Sequence, residues 1–296
     1  MLWIVLIAAL GGAVPTFSKM ALEVFPPFTF VLLRFIVALI VLVPVMLVKK
    51  KTLVNKNFKK IAQISLFGTG NVVFFALGVR YTTATVSQIL YAAVPILATV
   101  LTAVILKENI SKNKVIGVLL GFIGVGTIII SSGLAKDTRG MGTPIGNILV
   151  LLAVMSYAIY TVLSKKLQKD YSPIEITMAM IITTIAMQMI LVLTEVHTYE
   201  TTITNVSIDS LFGIFYVGAI GTSAYFLLYQ RVIKNASPVY ASMIFYLQPI
   251  FTFIWSTFLL GEKLTSSIVV GGIIALVGAS LVMKQEKKPK EKDMEA

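Results

Sequence analysis

The chain has no cysteine, a single histidine and only 13 acidic residues against 25 lysines and arginines. Each shortage removes a class of chemistry. Without cysteine there is no disulfide framework, no thiol nucleophile and no thiolate metal site. The one histidine, His197, falls between apolar runs, so no imidazole stands inside such a run as an acid, base or metal ligand. No carboxylate lies in the middle of a long apolar run. Paired acid–base carboxylates are thereby excluded, and so is a mid-span proton carrier. The G-x-x-x-x-G-K-[ST] phosphate loop is also missing, which argues against an ATP-driven pump. No metal and no cofactor is expected, and the chain is not expected to be an enzyme.

Polar residues are scarce in general. Of the 296 residues, 13% are charged and 57% hydrophobic, with a mean hydropathy of +0.91. Ten apolar stretches fill the chain, at 2–22, 28–48, 61–80, 84–106, 113–131, 144–164, 173–195, 208–230, 237–260 and 266–283. A helix needs about 20 apolar residues to cross a bilayer, and helices satisfy their own backbone groups in lipid. The expected fold class is therefore an all-α polytopic membrane protein with ten transmembrane helices. Met1–Leu22 has neither a basic leader nor a small-residue cleavage site, so it reads as a span rather than a signal peptide.

The net charge of +12 does not imply nucleic acid, because of where it lies. With the N-terminus taken as cytoplasmic, 19 lysines and arginines fall on the cytoplasmic side. Only Lys19, Arg80, Lys136, Arg139 and Lys263 fall outside, and Arg34 is left within a span. That bias predicts both termini inside a cytoplasmic membrane. The tail 284–296 is charged, contains Pro289 and has no apolar face. It reads as a disordered cytoplasmic end that can touch anionic lipid.

A repeat runs through the chain. A shift of 154 positions brings Pro95 onto Pro249, Glu108 onto Glu262, Gly117 onto Gly271 and Gly124 onto Gly278 without a gap. A shift of 146 brings Ser18-Lys19 onto Ser164-Lys165. Residues 1–135 and 144–283 thus read as two five-helix repeats. Five is odd, so the second repeat enters the membrane from the opposite side, an arrangement that places a substrate site between the halves.

These residues resemble the EamA-like branch of the drug/metabolite transporter superfamily. The pattern is Lys19, Pro27 with Arg34-Phe35, Ala84-Thr85, Pro95, Lys107-Glu108 and Gly117, Gly121 and Gly124. It recurs in Ser237-Pro238, Pro249, Gly261-Glu262-Lys263, Gly271 and Gly278. The resemblance implies ten helices in two inverted repeats and movement of small metabolites, often outward, across the cytoplasmic membrane. One departure is Lys107, where the family often has glycine before the glutamate; Gly261 keeps it. Related four-helix multidrug exporters use an acidic residue within their first helix. Here only Glu23 is near, beyond the outer end of the span, so exchange of lipophilic cations by that mechanism is not expected.

Polar, small and aromatic residues recur at helical spacing on otherwise aliphatic spans. Span 1 has Ala8, Gly12, Pro15 and Lys19; span 3 has Phe67, Asn71, Phe74 and Gly78; span 4 has Gln88, Tyr91, Pro95, Thr99 and Thr102. Span 6 has Ala153, Tyr157, Tyr160 and Ser164; span 8 has Gly218, Thr222, Tyr225 and Tyr229; span 9 has Phe245, Gln248, Thr252 and Trp255. Polar groups avoid lipid, so these stripes either line a cavity or bind helices together. The resemblance implies a central cavity lined by the same spans. Candidate substrate-binding residues are Lys19, Arg34, Asn71, Gln88, Tyr91, Tyr157, Tyr160, Tyr225, Tyr229 and Gln248. By depth, Lys19, Arg34, Gln88 and Tyr91 fall in the outer half, Asn71 and Gln248 near the midplane and the other four tyrosines in the inner half. Two readings of the basic pair stand. Arg34 and Lys19 attract a substrate carboxylate, or Arg34 pairs with Glu23 while Lys19 snorkels to the headgroups.

Pro15, Pro44, Pro95 and Pro249 are candidate helix bends, as are Gly68, Gly70, Gly218 and Gly221. The small residues of spans 5 and 10 mark a closely packed scaffold or a dimer face. The sequence therefore predicts a secondary transporter of small metabolites, amino acids or related carboxylates, working as a monomer or homodimer among membrane lipids. A translocator of lipid or lipid-linked head groups is the alternative.

Overall fold

The computed structural model describes residues 2–51, 58–107, 112–134, 141–198 and 204–283. Glu108, Lys136, Arg139 and the tail 284–296 lie outside the described residues. Within those residues every regular element is helical. They are α1 (Leu2–Gly12), α2 (Val14–Leu22), α3 (Pro27–Val48), α4 (Phe58–Val79), α5 (Ala84–Tyr91), α6 (Val94–Leu106) and α7 (Lys112–Leu134). After them come α8 (Pro144–Leu167), α9 (Pro173–Leu191), a 3₁₀ turn (Val192–Thr198), α10 (Ile208–Tyr216), a π-helical segment (Val217–Ala224) and α11 (Tyr225–Asn235). The last three are α12 (Pro238–Ala241), α13 (Ile244–Leu260) and α14 (Ser266–Met283).

Among the described residues, eight helical stretches are long and apolar enough to cross a membrane: Val5–Leu22, Pro27–Val48, Phe58–Val79, Ala84–Leu106, Pro144–Leu167, Pro173–Thr198, Ile208–Asn235 and Pro238–Leu260. They coincide with eight of the expected spans. The segments at spans 5 and 10 are helical too, with shorter apolar runs at Val115–Ile128 and Ser266–Gly278.

Local chemistry explains the starts. Thr83, Thr143 and Ser237 accept hydrogen bonds from Val86 N, Gly146 N and Tyr240 N, which satisfies free amides of the first turn. Proline follows at the first or second position of α8, α9 and α12, where its missing N–H costs nothing. Ser172 and Glu175 form a capping box at the head of α9.

The expected bends occur at some prolines and not at others. The first span breaks at Ala13 and the fourth at Ala92–Ala93, each two residues or so before a proline that begins the next helix. The ninth breaks at Ser242–Met243, where Met243, Phe245 and Tyr246 bond three residues back. Pro249 follows within a continuous α13. α3 runs unbroken through Pro44, and α4 runs unbroken through Gly68 and Gly70. In the eighth span the Gly218–Gly221 region adopts a π-helix rather than a simple bend.

α7 and α14 form a tight pair. A methyl at Gly124 would sit 2.4 Å from Ala275 N, and one at Gly278 would sit 2.4 Å from Gly121 N. The backbones touch because the side chains are absent, as the small-residue spacing predicts. The rest of the bundle surrounds a polar and aromatic centre: α4 packs along α8 and α9, α1 and α5 on α13, and α3 on α9 and the π segment.

Candidate functional site

At the centre lies a cavity with about 60 Å³ of space for water-sized contents. Gly11 and Pro15 come from the first span, Arg34 from α3, and Asn71 and Phe75 from α4. Gln88 and Tyr91 come from α5, and Tyr157 from α8. The eighth span adds Gly221, Tyr225 and Phe226, and the ninth adds Phe245 and Gln248. Among the described residues no carboxylate lines it.

Arg34 is the one charge on this lining, and it is 2% exposed. Its Nε and Nη2 donate to Thr222 Oγ1 at 3.1 and 2.9 Å. Thr222 is set by its own bond to Val217 O, five residues back, in the π segment. The guanidinium carbon lies 5.7 Å from the Phe30 ring centre and 5.4 Å from that of Phe35, a cation–π environment. Among the described residues Arg34 has no carboxylate partner, and its Nη1 makes no hydrogen bond.

Amides and phenols complete the ring. Gln88 Nε2 donates to Gln248 Oε1 at 2.5 Å, and Gln248 Nε2 donates to Tyr225 OH at 3.2 Å. Asn71 Nδ2 donates to Tyr91 OH at 2.5 Å and to Ala153 O at 3.0 Å. Gly11 leaves the room that Gln248 uses, since a methyl there would sit 1.9 Å from Gln248 Nε2. Tyr157 is the hub of the aromatic side, with Tyr229 at 5.3 Å, Phe245 at 5.5 Å and Phe226 at 6.0 Å between ring centres.

Seven of the ten candidates therefore meet at one cavity: Arg34, Asn71, Gln88, Tyr91, Tyr157, Tyr225 and Gln248. Tyr160 and Tyr229 are fully buried behind it, beside Tyr157. Lys19 does not join Arg34. Its Nζ donates to Thr82 O at 2.5 Å and lies 3.8 Å from Glu262 Oε1, in a cleft at one end of the bundle. The alternative pairing fails as well, because Arg34 binds Thr222 and Glu23 lines that same end cleft. Residues expected at different depths are nonetheless linked, since Tyr225 meets Gln248, which meets Gln88. Counting residues places Cα atoms, whereas these long side chains cover about a helical turn, roughly 5.4 Å.

Trp255 and Phe67 leave their stripes, at 41% and 39% exposure. Phe75 and Phe226 were missed because an aromatic residue inside a span carries no mark distinguishing a cavity wall from packing. Two carboxylates outside the cavity were also missed as caps. Glu262 accepts from Ala84 N, Thr85 N and Thr85 Oγ1 at 2.7, 3.0 and 2.8 Å. Glu195 accepts from Phe28 N, Thr29 N and Thr29 Oγ1 at 2.9, 2.8 and 2.8 Å. Each joins the second half of the chain to a helix start in the first.

At the opposite end Lys165 Nζ donates to Ile233 O and Ala236 O, both at 2.7 Å. Lys19 with Thr82 and Lys165 with Ala236 are the same contact under the shifts of 146 and 154. Of the four positive-φ residues among those described, Lys107 (58°) and Gly261 (64°) also correspond under the shift of 154.

A family model described as "EamA-like transporter family" matches residues 1–130 and 144–284. An uncharacterized transporter of Archaeoglobus fulgidus is 27% identical over 289 residues, covering 96% of this chain and 99% of the relative. The uncharacterized transporter YyaM of Bacillus subtilis is 25% identical over 274 residues, covering 90% and 88%. YetK of the same organism, also an uncharacterized transporter, is 26% identical over 291 residues, covering 95% and 86%. A crystal structure with a TM-score of 0.66 and 13% identity covers 96% of each chain, a likeness of fold alone.

Proposed function

The chain belongs to the EamA-like transporter family, and from that premise we propose that it moves small carboxylates, amino acids among them, outward across the cytoplasmic membrane by alternating access. One observation carries the substrate class: Arg34 lies buried on the cavity wall without a carboxylate partner among the described residues. A charge inside a membrane costs about 2.5–3.5 kcal/mol on insertion scales, and such residues mark a substrate or ion path by default. The arginine fork suits a carboxylate, the amides suit further polar groups, and the aromatic wall suits an apolar side chain or an ammonium.

Several features support the remaining points. The corresponding contacts of Lys19 and Lys165, at opposite ends, are what two inverted repeats produce. The helices α7 and α14, with their shorter apolar runs at Val115–Ile128 and Ser266–Gly278, support a count of ten crossings. The lysine excess at the α4–α6–α8 end supports cytoplasmic termini. Tyr225 and Tyr229 are 6% and 0% exposed, which favours a closed cavity over a groove open to lipid and so a soluble substrate over a lipid head group. Tyr160 and Tyr229 stand one helical turn from the cavity toward the lysine-rich end, so access from there requires them to move.

The test is a comparison of metabolites exported by cells with and without the protein, followed by flux of the hits into liposomes. Arg34→Leu is expected to abolish flux of carboxylates, and Arg34→Lys to keep a fraction of it. Unchanged flux in Arg34→Leu would remove the arginine from the substrate path.

A further inference from the structure

The two ends of the bundle differ in charge far more than in shape. The cleft beside Thr83 and Gly261, about 690 Å³, carries two lysines against three carboxylates. The cleft at the opposite end, about 790 Å³, carries six lysines against one aspartate among the described residues, which do not include Glu108, the counterpart of Glu262. Two of the six have assigned partners: Lys165 holds backbone carbonyls, and Lys60 lies 3.9 Å from Asp170. Lys107, Lys166, Lys169 and Lys234 are exposed and have no ion pair among the described residues.

Membrane topology asks for basic residues at one end, but it does not ask for one at the backbone position of Lys107. That residue has φ 58° and ψ 36°, the left-handed region, which is unfavourable for a residue with a Cβ. The corresponding turn of the second half uses Gly261 at φ 64°, the residue free to adopt it. A lysine one place away would count equally for topology. The chain instead keeps a cation at this left-handed helix stop, as it does at Lys50 (φ 50°) after α3, and of the two only Lys107 lines the cleft.

A polar column leads inward from this cleft. Gln168, on its lining, donates from Nε2 to Gln230 Oε1 at 2.8 Å. Next to Gln230, the hydroxyl of Tyr229 lies 3.5 Å from Thr161 Oγ1. Gln168 Oε1, Gln230 Nε2, Tyr160 OH and Tyr157 OH are buried with no hydrogen bond of ordinary geometry, while Tyr160 faces Gln230 and Tyr157 faces Tyr225 and Tyr229. These side chains form a polar line from the cleft to Tyr157 on the cavity wall.

The geometry points to an anion-capture site in the lysine-rich cleft, where Lys107, Lys166, Lys169 and Lys234 hold a small anion through carboxylate or phosphate oxygens before it passes along the Gln168–Gln230–Tyr160 column to Arg34. Only that last step rests on the transport reading; capture stands apart from it. Phosphate oxygens come from a soluble anion or from a lipid headgroup, and capture of substrate requires the soluble one.

The full chain in nanodiscs of phosphatidylcholine provides the test. Its lack of cysteine lets Ile105→Cys report on the lysine-rich cleft and Leu259→Cys on the opposite one. Inorganic phosphate and acetate, at constant ionic strength, are added before labelling with a neutral maleimide. Both anions are expected to protect Ile105→Cys and to leave Leu259→Cys unprotected. The half-protecting concentration is expected to rise at least tenfold in Lys107→Gly/Lys166→Gln/Lys169→Gln and to return when the same lysines are arginines. Lys107→Gly alone, which relieves the backbone and so folds, is expected to raise it about threefold. Equal protection in both clefts, or no change on neutralising the lysines, overturns the site. If phosphatidylglycerol protects Ile105→Cys by itself and soluble anions add nothing, the lysines serve lipid and the proposal fails. Arg34→Leu is expected to keep this protection while losing flux, so failure of the transport reading is distinguished from failure of the cleft.

Discussion

Arg34 shows what a single buried residue asks of its surroundings. A guanidinium carries five donors and no acceptor, and in this protein its nearest fixed acceptor is one threonine hydroxyl. Thr222→Val keeps the shape and removes that acceptor. Hydrogen bonds to charged groups contribute about 1.5–3 kcal/mol, so the variant is expected to melt several degrees lower in detergent and to show a raised KM for carboxylates. A change in neither would mean that the threonine does not position the arginine. Glu262 is the second residue of this kind. It serves three donors at the head of α5 and lies 3.8 Å from Lys19. Glu262→Gln keeps one acceptor oxygen and removes the charge that favours a helix N-terminus. A loss of about 1–2 kcal/mol follows from replacing charged by neutral bonds, read as a lower thermal midpoint. Thr85→Ala, which removes one of the three, is expected to lose less.

At the scale of elements, α7 and α14 meet through backbone, and that contact makes a sharp prediction. Gly124→Val and Gly278→Val place carbon where backbone atoms already lie, and overpacking costs about 1–3 kcal/mol or more. Gly126→Val is the matched control, because a Cβ there meets nothing within 4 Å. The first two are expected to lower the melting temperature or the yield of folded protein, the third to leave both unchanged. The elements themselves were legible in the sequence because lipid leaves a chain few options: long apolar runs become helices, and Ser, Thr and Pro mark their starts. Bends were legible only in part. Pro15 and Pro95 fall next to breaks, while Pro44 sits in an unbroken helix. Proline removes one hydrogen bond wherever it stands, but whether the helix opens there depends on neighbours that no local window contains. The cavity followed the same division. The amides and tyrosines on polar stripes came together, whereas Lys19 went to the bundle end because Thr82 and Glu262, both distant in sequence, wait there.

On the scale of the whole molecule, two clefts lie at opposite ends of the same helices, and the small cavity lies between them. α4 starts at the lysine-rich cleft, and the chain leaving it reaches the other at Thr83. This arrangement predicts opposite accessibility for two introduced thiols. In intact cells an impermeant maleimide is expected to label Lys263→Cys and not Lys166→Cys; inverted vesicles should reverse the result. Labelling of both from one side would contradict a membrane-crossing bundle with cytoplasmic termini.

The π segment at Val217–Ala224 sets the rotational phase of everything after it. A wide turn holds one residue more than an α turn would use, and each residue turns a helix by about 100°. Wound as an ordinary helix with all eight residues kept, the segment would swing Tyr225 and Tyr229 about a quarter of a revolution away from Tyr157 and carry Thr222 off Arg34. The eighth span would still be apolar and would still cross. The wide turn therefore absorbs a residue that would otherwise turn these tyrosines away from the centre.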